Sequence, residues 1–93
     1  MKIKTEIEDI EKFLDKVVDE YSELLIEQTK LLIINENEEN YEQCHSIKEY
    51  LNMISINVAT TISQMSGVDY DVTMNRLIQM QKYIYRNLFD TQD

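Results

Sequence analysis

Cys44 and His45, the only cysteine and the only histidine of the chain, are neighbours, and a thiol beside an imidazole invites a nucleophile-and-base reading. On a helix, consecutive side chains point about 100° apart, so this pair cannot share a proton without a distorted backbone. Cys44 falls instead on an apolar face and reads as a small core residue. Glu42 and His45 have the Glu-x-x-His spacing that sets a carboxylate and an imidazole on one helix face, as in di-iron bundles. Such a site needs more carboxylates and normally a second copy of the pair, which a symmetric dimer would bring, with Glu38, Glu39 or Glu49 near. An acidic chain also produces this spacing by chance, leaving a solvated helix start. With one glycine, one cysteine and one histidine, no phosphate loop, zinc pattern or Ser-His-Asp arrangement can be drawn. The expectation is therefore no catalytic residue, no metal, no cofactor and no enzyme.

The elements that position these residues are helices. Proline is absent and glycine occurs once in 93 residues, which removes the usual punctuation of hairpins and sheets. The reading is one all-α domain, 1–93: a three-helix bundle with a long heptad-patterned first helix that self-associates, most simply as a two-fold homodimer. A domain this small buries only about 60 to 65% of its unfolded surface, so oligomerisation would help it.

The first helix is expected over 3–35, about 50 Å at 1.5 Å per residue. Its apolar residues Ile3, Ile7, Ile10, Leu14, Val17, Tyr21, Leu24 and Leu31 alternate steps of four and three, with Gln28 in the missing slot. Thr5 and Glu8 have capping-box spacing, placing the start near Ile3 or Thr5. The seam widens toward Leu24, Leu25 and Ile26 and then Leu31 to Ile34, so Leu24, Leu25, Gln28, Leu31 and Leu32 are the candidate self-association residues. Gln28 at a core slot either fixes register or simply bonds a neighbour.

NENEEN (35–40) has no apolar residue and is the expected turn, with Asn37 or Asn40 capping a second helix over 40–65. Cys44, Ile47, Leu51, Ile54, Val58, Ile62 and Met65 form its apolar face. From Tyr50 to Val68 nothing is charged, which places this helix between layers. Its small face of Asn52, Ser55, Ala59, Ser63 and Ser66 reads as a packing site for helix three or a symmetry mate, or as a solvent face. Gly67 suits a left-handed C-cap. Asp69 or Asp71 then caps a third helix over 70–89, carrying Met74, Leu77, Ile78, Ile84, Tyr85, Leu88 and Phe89, with Arg76, Lys82 and Arg86 on its remaining surface and a polar tail after it. The six tyrosines read as core-edge residues, or, for Tyr83 and Tyr85 beside Lys82 and Arg86, as a recognition patch.

Charge bounds the partners. With 18 acids against 9 bases the net charge is −9, which argues against direct nucleic-acid or anionic-membrane binding. Residues 1–49 hold 14 acids and 6 bases, a net of −8, so the acidic edge lies along helix one. No run is apolar enough to span a bilayer and the start lacks a signal-peptide core, so the expected location is cytoplasmic. The expected function is a small acidic helical protein that binds and regulates or inhibits another protein, one that is basic or itself binds nucleic acid. Asp15, Asp19, Glu20, Glu23 and Glu27 are its candidate partner-binding residues. Two alternatives stand beside it: a DNA mimic of the kind phages encode against restriction or defence proteins, and a self-assembling scaffold subunit.

Overall fold

A computed structural model of the chain describes residues 2–90, with side chains from residue 8 onward. It is all-α: three helices, α1 (Lys2–Asn37), α2 (Tyr41–Ser66) and α3 (Tyr70–Asp90), with no strand among the described residues. α1 runs unbroken through Gln28. At 36 residues it sets the 56 Å length of a molecule only 22 by 17 Å across. The radius of gyration is 15.7 Å, against about 12 Å for a compact chain of this size.

α1 begins at Lys2, ahead of the start expected near Ile3 or Thr5, so the backbone is already helical at Thr5. The side chains of Ile3, Thr5 and Ile7, and the tail after Asp90, lie outside the described residues. The NENEEN segment does not turn from its beginning. Asn35, Glu36 and Asn37 continue α1, and the turn is Glu38–Asn40. Glu39 adopts φ 59° there; its N–H donates to Glu36 O (3.1 Å) and that of Asn40 to Asn35 O (2.8 Å). These two bonds are the Schellman ending of a helix, with a glutamate where glycine is usual.

α2 returns antiparallel to α1, bringing the Cys44 thiol 3.9 Å from Leu32 O and Ser55 to Tyr21. Asn40 precedes it; its carbonyl accepts from Cys44 N (3.1 Å), while its side chain donates to Asn35 Oδ1 (3.2 Å). Gly67, at φ 76°, closes α2 with its N–H on Ser63 O (3.0 Å). Asp69 opens α3: its carboxylate accepts from Asp71 N (3.0 Å) and its carbonyl from Thr73 N (3.1 Å). α3 then runs back along the hairpin and touches both other helices.

The core cluster consists of Tyr21, Leu25, Leu32, Cys44, Ile47, Leu51, Ala59 and Leu77, and Ile33 of α1 is buried as well, at 1% exposed. α1 buries only part of the heptad seam, with Tyr21 at 3% exposed. Leu25 is fully buried and Leu32 nearly so, while Leu31 is 43% exposed. A stripe of period 3.5 rotates about 20° per heptad around a helix of 3.6 residues per turn, so the seam drifts out of the core toward its C-terminal end. The polar residue that enters the core is likewise not Gln28, which is half-buried, but Thr29, 2% exposed.

Ser55, on the small face of α2, is where the three helices meet. Its hydroxyl donates to Leu51 O (2.7 Å) and accepts from the Tyr21 hydroxyl (2.8 Å) and from Gln81 Nε2 (2.6 Å). Gln81 Nε2 also donates to the Tyr21 oxygen (3.1 Å). One serine proton, one tyrosine proton and two amide protons fill every place in this ring, so the buried Tyr21 and Ser55 and the half-buried Gln81, one from each helix, satisfy one another. Elsewhere on the same face Ala59 is fully buried, Ser63 half-buried, and Asn52 and Ser66 exposed.

Candidate binding surfaces

The motif with the most obvious chemistry dissolves in three dimensions. Cys44 is buried against α1, whereas His45 is exposed and pairs with Glu49 one turn on (3.0 Å). Among the described residues no group of three metal-ligating side chains comes together.

α3 covers one flank of the α1/α2 hairpin, and the other flank carries the drifted seam. Phe13 (45% exposed), Val17, Leu24 and Leu31 share that side of α1, because steps of four and seven return to nearly the same direction. Across from them, Ile54 and Val58 of α2 complete a shallow groove of about 210 Å³ that also includes Glu20 and Asn57. Tyr50 and Met65 continue the α2 side, both partly exposed.

Of the five expected self-association residues, Leu25 and Leu32 are therefore taken up inside the chain. Leu24, Gln28 and Leu31 remain accessible on the open flank. The five expected partner-binding acids, Asp15, Asp19, Glu20, Glu23 and Glu27, are all exposed. They follow one another over about 18 Å of helix, within an arc that begins beside the apolar strip at Glu20 and Glu27.

No family model matches this chain, and no curated protein and no solved structure matches it either. No helix among the described residues is long and apolar enough to cross a membrane.

The tyrosines do not form a joint patch. Tyr83 is 70% exposed. Tyr85 turns the other way, stacks on Phe89 (centroids 5.9 Å apart, planes at 14°) and donates to the Glu36 carboxylate, 3.0 and 3.1 Å from its two oxygens. Burial first, and then this bond to a carboxylate, push the Tyr85 phenol above its ordinary pKa.

Sequence reasoning missed a second, larger concavity of about 560 Å³ on the α3 side, lined from all three helices. Ile78, Lys82 and Arg86 recur every four residues and so share a face of α3, which was legible. That Lys48 of α2 lines the same hollow depends on the helix pairing and was not.

Proposed function

We propose that the protein is a non-enzymatic binding protein that regulates or inhibits another protein by covering a surface on it. The observation that supports this is the open flank of the hairpin: an apolar strip of Phe13, Val17, Leu24 and Leu31 along α1, of which Val17 and Leu24 form a groove with Ile54 and Val58 that Glu20 also lines. Contiguous exposed apolar surface with a polar border is the usual signature of a protein–protein contact. The acidic border fits a partner whose apolar contact is rimmed by lysine and arginine, and it would speed encounter while the apolar strip holds the complex.

The DNA-mimic reading is weaker on the same geometry. Successive charges among Asp15, Asp19, Glu20, Glu23 and Glu27 are on average about 4.5 Å of helix apart at 1.5 Å per residue, wider than the 3.4 Å per phosphate of one DNA strand. Lys12, Lys16 and Lys30 also fall inside the same arc and break the run of negative charge. Self-assembly through the open flank is the competing use of the apolar strip, since a second copy would cover it symmetrically.

One experiment separates the three. The tagged chain is used for affinity capture from its native cells, with a Phe13→Ser/Leu31→Ser variant and an Asp15→Asn/Asp19→Asn/Glu20→Gln/Glu23→Gln variant alongside. Loss of a specific partner with the first variant and only added salt sensitivity with the second supports the proposal. Loss with the charge variant alone makes it a phosphate mimic. Recovery of the chain alone, as a fixed oligomer that the Phe13/Leu31 variant dissociates in light scattering, makes it a scaffold.

A further inference from the structure

The groove on the α3 side lies away from the strip just discussed, and its chemistry is different. Its apolar wall comes from Leu32, Leu51, Met74 and Ile78, one or two residues from each helix, and its polar border holds Lys48, Lys82 and Arg86. Four bases occur after residue 40, namely these three and Arg76, and three of the four line this one hollow. None of the three has a carboxylate within ion-pairing distance among the described residues. Glu36 is the single carboxylate of the lining, and its oxygens already accept the Tyr85 hydroxyl. Three cations against one carboxylate leave a local charge of +2 in a chain whose net charge is −9. A volume of about 560 Å³ lies within the range of small-molecule sites, which are mostly apolar hollows with a few polar groups that fix orientation.

We infer that this groove binds a small amphipathic anion, an acyl or aryl carboxylate. Its apolar body lies on Leu32, Leu51, Met74 and Ile78, and its carboxylate faces Lys48, Lys82 and Arg86. Charge complementarity selects this occupant over a neutral apolar molecule, because only an anion is attracted by a net local charge of +2 beside low-dielectric walls. A ligand seated there touches all three helices at once and stabilises the bundle by mass action. The inference uses a different face from the protein-binding proposal, so either can fail alone.

The test is titration of the isotopically labelled protein with octanoate, followed by amide chemical shifts and calorimetry, with octanol as the neutral probe. The expected result is saturable binding of one octanoate per chain, with shifts centred on Leu51, Ile78 and Gln81. Octanol should bind at least about tenfold more weakly. Lys82→Gln/Arg86→Gln, at exposed positions that leave the melting temperature unchanged, should weaken octanoate by about tenfold or more. Arg76→Gln, on the same helix but outside the groove, should leave it unchanged. Equal binding of octanol and octanoate, undiminished affinity in the Lys82/Arg86 variant, an equal loss in Arg76→Gln, or shifts confined to the opposite flank would each overturn the inference. So would the absence of saturation, or displacement behaviour seen only with an acidic peptide.

Discussion

Replacing Ser55 with alanine tests whether the three helices are joined as described, because Ser55 is the acceptor on which two of them converge. The substitution leaves the buried Tyr21 hydroxyl proton without an acceptor and frees one N–H of Gln81. An orphaned buried donor costs about 1–3 kcal/mol. Gln81 is only half-buried and can reach water, so its share is small. Alanine in mid-helix returns about 0.5 kcal/mol relative to serine. The net expectation is a loss of about 1.5 kcal/mol, or roughly 6–12 °C in Tm for a domain of this size. Tyr21→Phe removes the donor instead, leaves Ser55 bonded to Leu51 and Gln81, and should cost about 1 kcal/mol. In the double variant no stranded hydroxyl remains, so its loss should fall short of the sum by about 1 kcal/mol. Urea unfolding followed by circular dichroism at constant m-value measures all four corners of the cycle. A neutral Ser55→Ala, or strict additivity in the cycle, would show that Tyr21 and Ser55 do not bond across the helices.

Four further outcomes follow from named positions. Glu39, held at φ 59°, should be improved by glycine, Glu39→Gly raising stability by about 0.5–1 kcal/mol, and Gly67→Ala, at φ 76° with open space around its Cβ, should lower it by about 1 kcal/mol through backbone strain alone; thermal melts read both. The Tyr85 pKa is higher folded than unfolded, so the stability it contributes is complete below about pH 10 and is lost as pH rises through the folded value. Tm measured from pH 8 to 11 should therefore fall less steeply in Tyr85→Phe than in the wild type. Leu25→Ala, at a fully buried site, should cost about 2–5 kcal/mol, whereas Leu31→Ala, on the open flank, should cost under about 1 kcal/mol; chemical unfolding of the two variants compares the core with the seam.

The punctuation of this chain made its helices legible. One glycine, no proline and two polar turns leave few ways to break 93 residues, and Gly67 and Asp69 mark the α2–α3 turn chemically as well as in sequence. The α1 C-terminus was harder, because Asn35–Asn37 look like turn residues yet helix geometry tolerates them, and the stop comes from Glu39 in a conformation its side chain disfavours. The choice of buried face on α1 was hardest. A seam at steps of four and three and a seam at 3.6 drift apart by only about 20° per heptad, and Leu24–Leu25 and Leu31–Leu32 satisfy both. Only the position of α2 decides between them, and that is tertiary information.

The same ambiguity bears on why the open flank exists. A helix that needed one partner face would carry one leucine at each of those places, as the start of α1 carries single apolar residues at Ile7 and Ile10. Doubling them gives α1 two apolar flanks, one turned to the core through Leu25 and Leu32 and one turned outward through Leu24 and Leu31. Two antiparallel helices covered on a single side by α3 present the open side of a four-helix arrangement, in which a further helix would lie in the groove between Val17, Leu24, Ile54 and Val58. The position of Glu20 at the edge of that groove would then favour a helix carrying lysine or arginine one turn from its apolar stripe, which ties the acidity of α1 and the doubled leucines to the same partner.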